Sequence, residues 1–405
     1  MLKQDARLTA VADRDLADGA ATHSPAEQRP MRVLQVTARY FPYMGGVETH
    51  VYEVARRMAR AGLDVSVLTT DPSGQLPARE ITEGVKIRRV AAWPRNRDYY
   101  WAPGVYRAIR RGRWDIVHCQ CYHTLVPPLA MLAALRSDIP YVLTFHSGGH
   151  SFGLRNALRG VQRWLLRPLL ARADLLIGVS NFEAGFFQRQ LRLPANKFRV
   201  IQNGSHLPEP PEGVVEPGLE DGPLILSVGR LERYKGHHRI IRALPRILVH
   251  FPNAHLRIVG VGPYETKLRQ LAVELGIGDR VTIGSIPPAD RQGMAALLSR
   301  ASLVTLLSDY EAHPVSAMEA LALGRPMLVT DTSGLRELAQ RGLVRAIPLK
   351  SSPHEIAEAV VNELRNPLVP AHVELPTWEG CTAQLVDVYR SVVGSRQKAR
   401  RAGPR

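Results

Sequence analysis

Cysteine is scarce: the chain has three in 405 residues. Cys119, Cys121 and Cys381 cannot make the evenly paired framework that staples small secreted domains, so buried reduced thiols are expected. Cys119 and Cys121 alternate at a strand end beside His118 and His123. This C-x-C pair has no second ligand cluster at zinc-finger spacing, and no metal site is expected. Long apolar runs are missing as well. The longest, 125–135, contains Pro127 and Pro128 and is too short to cross a bilayer. Residues 1–30 mix charges of both signs with many alanines and lack an apolar h-region, which reads as a disordered tail and not a signal peptide. A cytoplasmic location is the expectation. Acidic residues are in deficit, 37 against 53 basic, giving a net charge of +16 and a pI near 10.2. That balance points to an anionic partner surface or substrate. No basic and aromatic interleaving of a nucleic-acid module accompanies it, so nucleic acid is not expected.

What remains is ordinary for a globular protein: 45% hydrophobic and 22% charged residues, in a length that suits two domains. Apolar runs at 33–40, 65–69, 85–90, 116–120, 141–146, 175–180 and 199–202 alternate with helical patterns, which predicts a doubly wound parallel sheet. Ligands bind beyond the carboxyl ends of such strands, where His118, His146, Ser180 and Asn203 fall. Gly45 and Gly46 precede a helix and let backbone approach a ligand with free amides. Ser180 with Glu183 three residues on also has capping-box form. A basic amphipathic helix is read over 154–171, either lying on an anionic membrane or packing on the sheet. The stretch 92–103, with Trp93, Tyr99, Tyr100 and Trp101, would stack on a sugar or lipid or cover the sheet edge. Residues 207–223 are rich in Pro, Gly and Glu and read as a linker. Beyond it a second sheet opens at 224–230, with further strands at 281–286, 303–307 and 327–330.

The second half holds the segment around which the chain is organised. Strand 303–307, the loop 308–313 and a helix from Pro314 to Gly324 place Glu311 just outside a helix start and Glu319 about two turns along, roughly 10–12 Å away. That span fits a sugar and a ribose joined by a diphosphate. Glu311 would accept bonds from sugar hydroxyls, the amides of Val315 and Ser316 would face the phosphates, and Glu319 would grip the ribose. Two solvated glutamates on an ordinary helix are the alternative. Arg230 and Lys235 flank a short loop at a strand end, where both can close on one diphosphate.

Glu311 and Glu319 with the Ala-Leu-Ala-Leu-Gly-Arg-Pro tail resemble the E-x7-E signature of retaining GT-B glycosyltransferases, in particular glycosyltransferase family 4. The G-R-L-x-x-x-K-G run at 229–236 resembles that family's phosphate loop, and Gly45-Gly46 its G-G-x-E loop facing the interdomain cleft and the donor diphosphate. His146 is similar to its strand-end histidine beside the donor sugar, and 203–206 to its N-G-x-D turn, with His206 in place of the acid. Gly260 and Gly262 fit its G-x-G-P turn near the nucleotide. By the same likeness Ile283 lies where the base meets backbone, and Ser333 and Gly334 lie near the diphosphate. Ser180 and Asn203 would face the cleft.

The resemblance covers roughly 31–394 and implies an acceptor-side Rossmann-like domain over 31–206 and a nucleotide-sugar domain over 224–376. A helix at 377–394 would cross back to the first domain, with a disordered basic tail at 395–405. The implied reaction moves a hexose-type sugar, with retention, from a nucleoside diphosphate sugar to an acceptor hydroxyl. A UDP-sugar is favoured and GDP-mannose is next. The acceptor would be a glycan, a lipid-linked or a small molecule, in cell-surface polysaccharide or glycolipid synthesis, with no cofactor or metal and with peripheral membrane contact through 154–172 and the basic tail. Competing readings are a GT-B-type nucleotide-sugar 2-epimerase and a non-enzymatic basic membrane adaptor.

Overall fold

Eight strands form where short apolar runs end in polar or glycine-rich turns: β1 (Arg32–Val36), β2 (Asp64–Asp71), β3 (Arg79–Thr82), β4 (Val85–Ala91), β5 (Ile116–Gln120), β6 (Tyr141–Thr144), β7 (Leu175–Gly178) and β8 (Phe198–Val200). They make one sheet in the order β3-β4-β2-β1-β5-β6-β7-β8. The second sheet contains β9 (Leu224–Val228), β10 (His255–Val259), β11 (Val281–Gly284), β12 (Leu303–Leu306), β13 (Met327–Thr330) and β14 (Arg345–Ile347), in the order β11-β10-β9-β12-β13-β14. Every pairing in the second sheet is parallel. The computed structural model describes residues 29–43, 45–95, 100–146, 153–205, 207–209, 222–287 and 290–402, with backbone only for 153–158.

The expected doubly wound α/β architecture is present, with one difference. β3 pairs antiparallel with β4 and makes the first sheet mixed at its edge. Its exposed, charged sequence hides it from a search for apolar runs. In each sheet the strand order reverses once near the middle, between β1 and β5 and between β9 and β12, and such switch points leave a crevice beyond the carboxyl ends.

The helix Trp378–Arg401 belongs to the first sheet's core. Its Trp378, Cys381, Leu385, Val388 and Tyr389 pack with Val51, Val54 and Met58 of the helix Gly46–Arg60. Helices buried on a sheet face in this way bind by apolar area, at about 25 cal/mol per Å². The tail expected to be disordered from 395 is therefore corrected through Arg401. Arg396 bonds Asp174 at 2.7 Å and Arg400 bonds Asp138 at 2.5 Å, which fastens the last helical turns to the first sheet's connections. Start and end of the crossing lie side by side: Ser205 N donates to Pro376 O at 3.1 Å, and a side chain at Gly204 would strike Trp378 N at 2.2 Å. His206, most of the linker (210–221), Tyr99 and residues 147–149 lie outside the described residues.

The three cysteines are free, Cys119 and Cys381 buried. In the helix Gly153–Arg172, Leu170 is fully buried, while Val161, Trp164 and Leu165 are 54%, 72% and 62% exposed. Its apolar residues thus serve two faces, one on the core and one facing outward. Tyr100 is buried and accepts a bond from Arg39 Nε at 2.7 Å, whereas Trp93 and Trp101 stand half exposed. Among the described residues no helix is long and apolar enough to cross a membrane.

Candidate active site

The carboxyl ends of the two sheets open onto a shared cavity of about 460 Å³, within the range of small-molecule sites. One wall comes from the first sheet: Arg39 after β1, Gly45, Gly46 and Glu48 at the start of the next helix, and His146 after β6. The opposite wall comes from the second sheet. It carries Arg230 and Lys235 after β9, Glu311 after β12, and Val315, Ser316 and Glu319 on the helix Val315–Ala322.

The second wall is a set of ion pairs. Lys235 Nζ lies 2.6 Å from Glu311 Oε1, and Ser308 Oγ donates to the same oxygen at 2.8 Å. Among the described residues no bond is made to Glu311 Oε2. Burial works against the Lys235 charge, but Glu311 outweighs it and the ammonium stands above its ordinary value. Glu319 pairs with Arg291; burial raises its carboxyl and Arg291 opposes the rise. Arg230 donates to Tyr234 Oη at 2.6 Å and lies 3.3 Å from Glu232. The first-turn amides of Val315 and Ser316 have no acceptor within their helix, as at any helix start.

The first wall carries two charged side chains, Arg39 and Glu48, beside His146. Glu48 is raised by burial, with its own backbone N–H, Arg39 and Arg230 opposing. Its Oε2 lies 2.5 Å from where a side chain on Gly45 would begin, so the carboxylate curls over the Gly-Gly turn. His146 Nε2 lies 2.8 Å from Gln120 Oε1, and its ring meets His50 edge-on at 4.5 Å. Burial and neighbouring histidines hold His146 well below the ordinary imidazole range, so it is neutral. His50 is pushed down to about 4 by burial, as is His313 on the opposite wall.

The cavity brings together Gly45, Gly46, His146, Asn203, Arg230, Lys235, Glu311, Val315, Ser316 and Glu319. Six other expected residues stand behind its walls. Ser180 caps its helix, accepting from Glu183 N at 3.1 Å, and Val179 takes the wall position. Gly260 and Gly262 back the loop that carries Arg230: side chains there would strike Gly229 O at 1.9 Å and Leu231 O at 2.4 Å. Gly229 N and Leu231 N donate to Val259 O and Val261 O across that contact. Ile283 is buried, its carbonyl taken by Arg269 at 2.6 Å. Ser333 and Gly334 hold Glu311 from behind, Ser333 Oγ accepting from Glu311 N and Gly334 N donating to Glu311 O, each at 2.8 Å. Arg39, Glu48, Tyr234 and Arg291 were not singled out by sequence. Glu48 lies within the G-G-x-E pattern and was legible there, whereas Arg291 meets Glu319 only through the fold.

Two facing Rossmann-like domains with a cleft between them and a returning C-terminal helix define the GT-B fold. The model described as Glycosyltransferase Family 4 matches residues 44–207, and that of Glycosyl transferases group 1 matches 215–374. A glycogen synthase of Mycobacterium tuberculosis is 32% identical over 346 residues, 77% of this chain and 81% of that protein. A GDP-mannose:cellobiosyl-diphosphopolyprenol alpha-mannosyltransferase of Xanthomonas oryzae is 26% identical over 90% of this chain and 98% of its own. The solved Anabaena HepE, in complex with UDP and glucose, superposes with a TM-score of 0.65 at 18% identity, covering 92% of this chain and 99% of that one. The chain belongs to glycosyltransferase family 4 and is a transferase enzyme.

Proposed function

We propose that the enzyme transfers a hexose-type sugar from a nucleoside diphosphate sugar to an acceptor hydroxyl, with retention at the anomeric carbon. The observation that carries this is the second wall, where two cation–carboxylate pairs flank a helix start within one cavity. Arg230, Lys235 and the amides of Val315 and Ser316 neutralise the charge that grows on the departing diphosphate, an effect that depends on donors already in place. Gly45 and Gly46 approach the diphosphate from the other wall. The bond from the anomeric carbon to the phosphate oxygen breaks, the acceptor oxygen bonds to that carbon on the same face, and its proton passes to the departing phosphate. Glu311, held by Lys235 on one oxygen, turns the other to the sugar hydroxyls, while His146 sets the reacting face. Glu319 grips the ribose, exchanging Arg291 for the sugar's hydroxyls.

A UDP-sugar is the first candidate donor and GDP-mannose the second; the solved Anabaena protein holds UDP, and the Xanthomonas relative is named for GDP-mannose. The acceptor is a glycan, a lipid-linked or a small molecule of cell-surface polysaccharide or glycolipid synthesis. The outward face of Val161, Trp164 and Leu165, among arginines, favours contact with an anionic cytoplasmic membrane surface.

The test is release of UDP or GDP from a panel of sugar donors with and without lipid-linked and glycan acceptors, with the anomeric configuration of the product read by NMR. Acceptor-stimulated release and a retained configuration are expected. Acceptor-independent epimerisation, an inverted product, or no release from any donor overturns the reading.

A further inference from the structure

Behind the first wall runs a line of buried neutral groups that the proposed reaction does not use. Tyr389, on the returning helix, is fully buried, as are Gln35 on β1 and Gln120 at the end of β5. Gln35 Nε2 donates to Tyr389 Oη at 2.8 Å, Gln120 Nε2 donates to Gln35 Oε1 at 2.8 Å, and Gln120 Oε1 meets His146 Nε2 at 2.8 Å. On the other side Tyr389 Oη meets His118 Nδ1 at 2.5 Å, and His118 Nε2 meets Thr144 Oγ1 at 2.7 Å.

Such a chain has two self-consistent directions, because turning one amide turns every other member. Met58 selects between them. Its thioether sulfur lies 3.9 Å from Gln35 Nε2, and sulfur here can accept but not donate. The amide NH₂ of Gln35 therefore faces Met58 and Tyr389, and its carbonyl faces Gln120. The remaining hydrogens follow. Gln120 gives its NH₂ to Gln35 and turns its carbonyl to His146, which must donate from Nε2. Tyr389, already accepting, gives its own hydrogen to His118 Nδ1, and His118 donates from Nε2 to Thr144.

We propose that Gln120 is a positioning residue which, with Gln35 and Tyr389, forms a one-way hydrogen-bond chain that locks His146 as its Nε2–H tautomer and presents Nδ1 to the cleft as an acceptor. The inference deepens, and rests on, the reading of His146 as a neighbour of the donor sugar. Its consequence is selectivity. A ring nitrogen that only accepts takes a hydrogen bond from a sugar hydroxyl, and a donor lacking that hydroxyl leaves a polar atom unpaired. The chain also makes the returning helix part of the site, because the group that ends it comes from the far end of the sequence.

The tautomer is readable without any substrate, by long-range ¹H–¹⁵N spectra of the full-length protein labelled at histidine, with the His146 signal identified by its loss in His146→Ala. The expected result is a single Nε2–H form. In Gln120→Leu the His146 signals shift to a mixture of tautomers and kcat falls about tenfold, the scale of one lost hydrogen bond, while nucleotide affinity stays within about twofold. In Met58→Leu, which removes the sulfur that selects the direction, the mixture appears with a smaller loss of rate. A wild-type Nδ1–H form, or a His146 spectrum unchanged in Gln120→Leu, overturns the chain. Should Gln120→Leu fail to fold, an unchanged His146 spectrum in Met58→Leu overturns it instead. Failure of the functional reading looks different: the tautomer is fixed as stated and no sugar is transferred.

Discussion

The two walls of the cleft are built on different physics. The second-sheet wall is charged and compensated: Lys235 holds Glu311 and Arg291 holds Glu319, so each carboxylate next to the ligand space has its own cation. The first-sheet wall carries Arg39 and Glu48, but behind His146 it is neutral and relayed, with His146, Gln120, Gln35 and Tyr389 passing hydrogen bonds inward while Glu48 curls over the Gly-Gly turn. A diphosphate needs fixed charge, and the wall proposed to meet it has that charge. A face proposed to meet the acceptor needs orientation without a strong field, and the neutral groups behind His146 give it.

Acid is the largest lever, and it breaks the neutral wall. His50 is held down to about 4 by burial, as is His313 of the second-sheet wall, and burial also holds His118 and His146 well below the usual range. Because the unfolded chain takes up these protons near pH 6.5 and the folded one does not, their contribution is fully present above about 6.5 and is lost as pH falls toward about 4. Each titrating histidine costs up to roughly 1.4 kcal/mol per pH unit in that window. Urea melts from pH 7.5 to 4.5 should show a steep loss of stability beginning near 6.5, and His50→Phe should make it shallower.

Lys235→Met breaks the charged wall. Removing one partner of a buried pair leaves Glu311 uncompensated, so stability should fall by about 3 kcal/mol. In enzyme that remains folded, kcat/KM should drop on the order of 10² to 10³, the scale of a lost charge-stabilising donor. Denaturant melts and initial rates check both. Glu48→Gln sharpens the contrast from the other side. It removes a carboxylate from over the Gly-Gly turn and near Arg230, and calorimetry should show nucleoside diphosphate binding a few-fold tighter, as expected for relief of one like charge.

Sequence exposed the charged wall well, because its parts are local. Glu311, Glu319, Arg230 and Lys235 each sit within a few residues of a strand end or helix start. The neutral wall escaped it, since Gln35, Gln120 and Tyr389 are 85 and 354 positions apart along their bonds, and each alone is an unremarked polar residue. Some strands found from their apolar runs were drawn too long, 33–40 and 141–146 among them, while 116–120 and 327–330 match β5 and β13 and 65–69 falls short of β2. Tyr40 and Phe145 are as buried as strand residues yet lie past the ends of β1 and β6. The basic C-terminal run looked like a tail because Asp174 and Asp138, which hold Arg396 and Arg400, are 222 and 262 residues away. Gly260, Gly262, Ser333 and Gly334, expected near the nucleotide, lie outside the cavity lining and brace Arg230 and Glu311, a role carried only by which backbone lies behind them.

The most direct measurement is titration of UDP and GDP into wild-type enzyme, Lys235→Met and Gln120→Leu, followed by calorimetry and by thermal stabilisation. A ligand bound only by the folded state raises stability as RT ln(1 + [L]/Kd), so the two readouts must agree. Binding that is retained in Gln120→Leu and lost in Lys235→Met is the predicted result. Binding lost equally in both, or unaffected by Lys235→Met, would contradict the division of the cleft into a charged donor wall and a neutral orienting one.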